Sequence, residues 1–147
     1  TGSIKLLARL LQSVHEDIVV FTMGTIQQCA TQNNYQLAIQ TEGMVSDMVQ
    51  YLYSSNTELK KHCASAIFKC AQDSITRDLV RQHGGLDPLI GIIKDEASHT
   101  DKSLMAAATG AIWKCAISNE NVRRLDDLHT VNILVSLLSG DDETVLI

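Results

Sequence analysis

The chain has 147 residues, of which 45% are hydrophobic, 20% charged and 4% aromatic, a composition typical of one globular domain with a substantial core. Its 12 basic and 17 acidic residues give a net charge of −5, and no stretch concentrates lysine and arginine, which disfavours a nucleic-acid partner. No apolar run reaches the ~18 residues that span a bilayer, and no signal-peptide pattern is present. We therefore expect a cytoplasmic protein with no membrane partner.

Near-copies of one five-residue segment occur three times, and the chain is organised around them. The copies are Ile26–Ala30, Ile67–Ala71 and Ile112–Ala116. The cysteines at their fourth positions are 41 and 45 residues apart, within the range of periods that indicates stacked supersecondary units. The few aromatic residues and the abundance of Leu, Ile, Val and Ala favour helices packed on helices.

The first unit, residues 1–43, has three helical segments by periodicity. Residues 3–12 carry apolar side chains at helical spacing and predict a short amphipathic helix. A longer helix is predicted from Val19 to Ala30. A third, short helix then ends at Gly43, because a helix C-terminus favours a residue that accepts positive φ.

The second unit, residues 44–85, repeats this order. After a short helix, Ser55 and Glu58 have the spacing of a capping box, which predicts the start of the long helix that leads to Cys70. A short third helix is predicted to end at Gly84.

The third unit, residues 86–130, opens with a short helix that has Pro88 in its first turn, where proline is tolerated. The segment Asp95–Thr100 is longer than its counterparts and explains the 45-residue spacing. We expect it to bulge from the surface without disturbing the stack. The long helix follows and leads to Cys115.

A fourth unit begins at residue 131 and is truncated at residue 147. A turn is predicted at Ser139-Gly140, and Val145–Ile147 enter the next long helix. Because terminal units of a solenoid need a polar outer face, we interpret the chain as a fragment of a longer array. Self-association through its truncated ends is an open alternative.

No cofactor, metal site or catalytic residue is predicted. The four cysteines are interpreted as reduced thiols that serve as small apolar core residues. His62, Cys63 and Cys70 suggest zinc at first sight, but no Cys-x-x-Cys pair or second histidine at ligand spacing accompanies them. No phosphate loop or nucleophile elbow occurs either, so we do not expect an enzyme.

The units resemble the armadillo repeat, with three helices in about 42 residues and a long, Ala-rich helix in each. This resemblance implies an all-α, armadillo-type right-handed helical solenoid whose long helices line a concave groove for extended peptides or partner helices. More narrowly, Thr109–Val122 is similar to the armadillo-repeat subunits of the outer dynein arm docking complex of ciliary axonemes. That similarity implies protein partners such as dynein-arm docking subunits, and a cytoskeletal location in the cilium.

The armadillo resemblance also suggests a binding groove. In the nuclear-import and cell-adhesion members, an asparagine on each long helix holds the ligand backbone, and a tryptophan lies one turn earlier. The matching positions hold Gln28, Lys69 and Lys114 in place of asparagine, and Gly24, Ser65 and Gly110 in place of tryptophan. The asparagine ladder is missing, and groove lysines would repel a basic nuclear-localisation peptide.

Two interpretations of these positions stay open. In one, the small residues let a partner backbone come close while Lys69 and Lys114 meet its acidic groups. In the other, both lysines are solvated surface residues. Trp113 is predicted to lie in the core or between units, because Phe68 and Gln27 hold the same slot.

Three functional hypotheses follow. The first is a non-enzymatic scaffold that helps to dock outer dynein arms on axonemal doublet microtubules. The second is a generic cytosolic or nuclear armadillo adaptor that binds an extended peptide or a partner helix. The third is the regulatory domain of an enzyme whose catalytic part lies in another segment.

Overall fold

A computed structural model of the protein describes residues 2–128 and 130–138, and within these residues the secondary structure is entirely helical. The helices are α1 Gly2–Leu10, α2 Glu16–Cys29, α3 Asn33–Thr41, α4 Met44–Tyr51, α5 Thr57–Cys70, α6 Ser74–Gln82, α7 Leu86–Lys94, α8 Lys102–Cys115, α9 Asn119–Asp127 and α10 Thr130–Leu138, with a 3₁₀ helix at Glu96–Thr100. Short, long and short helices alternate, and the predicted all-α solenoid is confirmed.

The long helices α2, α5 and α8 lie side by side, with α5 in the middle. Each has 14 residues. Their close packing depends on small side chains that are completely buried, namely Ala64, Ala66, Ala108 and Ala111. Larger apolar residues such as Ile67 and Leu89 complete one continuous core, and each contributes about 1.5–3 kcal/mol by leaving water.

Two glycines at equivalent turns have backbone conformations that other residues rarely adopt. Gly43 has φ 72° and Gly84 has φ 79°, which confirms the helix-ending turns predicted there. The equivalent position in the third unit, His129, lies outside the described residues.

The C-termini of two long helices are capped from the following short helix. Gln36 of α3 donates from Nε2 to the Ala30 carbonyl at 2.6 Å, and Arg77 of α6 donates from Nη1 to the Ala71 carbonyl at 2.9 Å. These bonds satisfy carbonyls that have no partner within the helix. They also orient each short helix relative to the long one.

The prediction that Ser55 caps α5 as part of a capping box is wrong, and the cap is the next residue, Asn56. The side chain of Asn56 accepts the Leu59 amide at 3.1 Å and is the N-cap of α5. Glu58 does not reach back to the cap, since its carboxylate lies 3.3 Å from Lys61 Nζ. Asn56 also donates to Glu16 of α2, so the neighbouring unit helps to select the cap.

The insertion in the third unit does not bulge as a loose loop. It forms the 3₁₀ helix, which packs against α7 and α8. Ser98 is buried, and the His99 ring bonds through Nε2 to the Ile93 carbonyl at 2.8 Å. Asp95 and Asp101 cap the 3₁₀ helix and α8, respectively, so local capping absorbs the additional residues.

Helices α4 and α7 begin at Met44 and Leu86, where the second and third units are predicted to begin. Helix α10 begins at Thr130, one residue before the predicted fourth unit. The predicted turn at 139–140 and the residues 145–147 lie outside the described residues. The division into units and its continuation in a longer array stay predictions.

One flank of α2 is more exposed than the same flank of α5 and α8. Ile18 is 39% exposed, whereas the equivalent Leu59 and Leu104 are 2% and 1% exposed. Phe21, one turn after Ile18, is also exposed. Among the described residues, no long helix covers this flank of α2. Self-association stays an open alternative, and this apolar flank is one surface available for it.

Three of the four cysteines are buried, as predicted, and all four are free thiols. Burial raises the pKa of Cys63, and it raises the pKa of Cys70 and of Cys115 to about 12. Cys29 is only half-buried, because it belongs to the unit whose long helix has an uncovered flank. The buried thiols are therefore protonated, unreactive core residues at neutral pH.

We expect Cys70→Ser to lower the free energy of unfolding by about 1–3 kcal/mol, because the new hydroxyl would be buried among apolar groups. Cys29→Ser is the matched control, with an expected change of about 0.5 kcal/mol or less at its half-buried position. Urea unfolding followed by circular dichroism measures both values. Equal values for the two variants would show that the Cys70 environment is not apolar.

Candidate functional site

The six predicted groove residues lie on α2, α5 and α8, and none is fully buried. Gln28 is exposed and the other five are half-buried, namely Gly24, Ser65, Lys69, Gly110 and Lys114. Within each long helix the two positions are four residues apart and share a face. We call the surface formed by these residues, together with Phe68 and Trp113, the groove surface. Its role in binding stays a prediction.

Lys69 reaches from α5 to the end of the preceding long helix. Its Nζ donates to the main-chain carbonyl of Gln27 and to Gln27 Oε1, both at 2.8 Å. The carbonyl belongs to the last turn of α2, where a cation is favoured by the helix dipole. Both acceptors are neutral, and no carboxylate of the described residues forms an ion pair with Lys69.

Lys114 reaches in the same direction but meets aromatic rings. Its Nζ lies 4.7 Å from the centre of the Trp113 ring and 5.8 Å from the centre of the Phe68 ring of the preceding unit. Such contacts stabilise a cation by about 0.5–1 kcal/mol at exposed sites. Within the described parts of the chain, Lys114 also has no carboxylate partner.

Trp113 is on the surface, and the prediction that it lies in the core is wrong. Its side chain is 61% exposed. It does lie between units, because its ring centre is 6.2 Å from that of Phe68 at an interplanar angle of 33°. Ile117, one turn later, is 55% exposed. The polar Gln27 in the same slot of the first unit was the sequence signal for a solvent-facing position.

The small groove residues have a packing role within the chain. A Cβ atom on Gly110 would lie 3.1 Å from Phe68 Cδ1, and one on Gly24 would lie 3.2 Å from His62 Nε2. Rings of the adjacent unit therefore already occupy the space that a missing side chain leaves. Packing against these rings explains why Gly24 and Gly110 lack a side chain, and no ligand is needed to explain it. No such contact explains the small side chain of Ser65.

A second polar arrangement joins units two and three away from the groove surface, between α6 and α9. Asn121 is fully buried, and its Nδ2 donates to the carbonyls of Arg77 at 3.2 Å and Cys115 at 3.0 Å. Its Oδ1 accepts from Arg81 Nη1 at 2.9 Å. Arg81 also forms an ion pair of 3.0 Å with Glu120. The sequence pattern did not reveal this buried asparagine.

The preceding interface has a simpler version of the same arrangement. Thr76, at the position equivalent to Asn121, donates to Oε1 of Gln40, at the position equivalent to Arg81, at 3.1 Å. Both interfaces therefore combine an apolar core with a buried polar connection, which helps to fix how adjacent units are oriented. The groove surface depends on that orientation, since its residues come from three separate helices.

The described residues contain no cluster of three or more His, Cys, Asp or Glu side chains that could hold a metal ion. None of their helices is sufficiently long and apolar to cross a membrane.

The chain is similar to curated proteins over almost its whole length. It is 51% identical over 146 residues to "Armadillo repeat-containing protein gudu" of Drosophila melanogaster, an alignment that covers 99% of this chain and 22% of that protein. It is 47% identical over 147 residues to "Outer dynein arm-docking complex subunit 2" of Bos taurus, covering 99% of this chain and 14% of that protein. The chain thus spans about a fifth or less of the length of these relatives.

Solved structures establish the fold. A computationally designed armadillo repeat protein for modular peptide recognition has a TM-score of 0.88 at 24% identity, over 99% of this chain and 60% of that one. A designed armadillo repeat protein in complex with the peptide (KR)4 has a TM-score of 0.84 at 22% identity, over 97% and 60%. No family model matches the sequence. The fold is that of an armadillo-type right-handed helical solenoid, as predicted.

Proposed function

We propose that this armadillo solenoid is a non-enzymatic, protein-binding scaffold that helps to dock outer dynein arms on the doublet microtubules of the ciliary axoneme. The observation that carries the proposal is 47% identity, over 99% of this chain, to a protein named as an outer dynein arm-docking complex subunit. Because the chain spans 14% of that protein, it supplies one binding surface of a larger assembly. Its partners are then other subunits of the docking complex.

The groove surface suits an acidic protein partner. Lys69 and Lys114 hold their amines against neutral carbonyls and aromatic rings, so their charges are not neutralised by the described carboxylates. A partner carboxylate can therefore bind without displacing an internal ion pair. A basic import-type peptide would meet like charges at the same positions, which costs affinity.

A generic armadillo adaptor is the second candidate. It is favoured by the structural similarity to designed armadillo proteins made for modular peptide recognition. The two candidates share a groove and differ in the partner. A docking subunit should bind if the chain has the docking role, and an unrelated extended peptide should bind if it is a generic adaptor.

The groove is tested with the double variant Lys69→Glu with Lys114→Glu. We expect its affinity for purified docking-complex subunits to fall at least tenfold, because two attractive charges become repulsive. The control, Lys5→Glu with Lys94→Glu, makes the same change of net charge at two exposed positions outside the groove surface. Circular dichroism checks that helicity is retained.

Binding is measured by co-sedimentation with doublets that carry the docking subunits, and by titration with the purified subunits. Failure of the unmodified chain to bind either, together with high affinity for a basic import-type peptide, would contradict the docking role. Equal affinity of both double variants would place Lys69 and Lys114 on the solvated surface.

A further inference from the structure

We infer that the groove surface recognises an extended acidic segment of its partner, with two carboxylates three residues apart and an apolar side chain next to the second carboxylate. This inference rests on the proposed scaffold function and specifies the chemistry of the partner. It is carried by the positions of two amines and one exposed aromatic ring.

The two lysines hold equivalent positions on successive long helices. Lys69 Nζ contacts Gln27 of unit one, whereas Lys114 Nζ lies between Trp113 of its own unit, at 4.7 Å, and Phe68 of unit two, at 5.8 Å. The points at which the two side chains leave their helices are separated by about the distance between neighbouring long helices, roughly 8–10 Å for packed α-helices.

This separation predicts the spacing of acidic residues in the ligand. A polyproline-type segment rises ~3.1 Å per residue with three residues per turn, so every third side chain projects from the same side at intervals of about 9 Å. Carboxylates at positions i and i+3 of such a segment match the spacing of the two lysine positions. In a fully extended strand, residues i and i+3 point to opposite faces, and residues i and i+2 are only about 7 Å apart.

The aromatic ring adds an apolar subsite beside the second amine. Lys114 Nζ lies 4.7 Å from the centre of the Trp113 ring, and the ring and Ile117 are both more than half exposed. A ligand carboxylate on Lys114 therefore brings an adjacent ligand residue over an apolar surface. A leucine there would cover part of Trp113, and exposed tryptophans of this kind are often the residues that dominate an interface.

The test uses the tryptophan itself, because Trp113 is the only one in the chain. The probe is the peptide Pro-Glu-Pro-Pro-Glu-Leu-Pro, titrated at physiological salt with Trp113 fluorescence and calorimetry as readouts. The comparison peptides replace both glutamates by glutamine, or place the two glutamates side by side. A further peptide, of helical type, carries its carboxylates seven residues apart.

We expect the first peptide to bind at least tenfold more tightly than the glutamine and side-by-side peptides, and to shift the Trp113 emission. Lys69→Met and Lys114→Met should each abolish this preference, whereas Lys94→Met, at an exposed position outside the groove surface, should keep it. Trp113→Ala should weaken binding of the first peptide by about tenfold, and calorimetry measures this change. Equal affinity for the glutamine peptide, or preference for the helical peptide, would overturn the inference.

The experiments distinguish a failure of the docking role from a failure of the inferred ligand chemistry. Should docking subunits bind while the acidic peptides show no preference, the ligand chemistry inferred here is wrong and the scaffold function stands. Should the acidic peptide bind with the expected preference while no docking subunit binds, the groove chemistry stands and the docking role is wrong.

Discussion

Replacement of Asn121 by alanine should lower the free energy of unfolding by about 2–4 kcal/mol, from the loss of several buried hydrogen bonds and the resulting cavity. The fully buried amide donates to the Arg77 and Cys115 carbonyls and accepts from Arg81. Alanine replaces none of these interactions. The Asn121 side chain is 0% exposed, so its loss leaves the two carbonyls and Arg81 Nη1 without this partner at a site away from bulk solvent.

Asn119→Ala provides the matched control, since Asn119 is in the first turn of the same helix, α9, and is exposed. Its expected change is within about 0.5 kcal/mol. Urea unfolding measured by far-UV circular dichroism gives both values. A loss at Asn121 no greater than the loss at Asn119 would mean that the network does not hold units two and three together.

Gly85→Ala should be destabilising by about 1–3 kcal/mol, the usual cost of forcing additional volume into a filled core. A Cβ atom at Gly85 would lie 2.8 Å from Val49 Cγ2 and 2.8 Å from Val80 Cγ1, and 3.0 Å from the Val80 carbonyl oxygen. Val49 and Val80 are themselves buried. The methyl group therefore cannot be accommodated without moving α4, α6 or α7 apart.

The same substitution at Gly91, six residues later, should stabilise the protein instead of destabilising it. Gly91 lies within α7, is exposed, and would place a Cβ atom in open space. Gly91→Ala should therefore stabilise the protein by about 0.5–1 kcal/mol, because alanine loses less backbone entropy in a helix. Thermal and urea unfolding of the two variants test the pair. Stabilisation by Gly85→Ala would contradict the packing described here.

The fold was predictable because its signals are local and recur from unit to unit. Cys29, Cys70 and Cys115 mark equivalent points of the long helices, and Gly43 and Gly84 mark equivalent turns. Each such feature depends on residues within one helix or one turn. Their agreement at a fixed period specifies a stack of helical units.

The candidate site was only partly predictable. Its six residues were placed by comparison between units and by family resemblance, and the structure puts them on the long helices with none fully buried. The contacts that give the surface its chemistry were not predicted. Lys69 with Gln27, Lys114 with Phe68, and Phe68 with Trp113 each join residues more than 40 positions apart, and no local pattern encodes such a pair.

Residue order alone therefore established the helical class, the period and the turns, because helix formation and helix ending depend on side chains within a few residues of each other. The exposure of Trp113 and the burial of Asn121 were decided only by the packing of one unit on the next. Whether a side chain on a long helix is covered depends on what the adjacent helix presents to it. That information lies one full unit away along the chain.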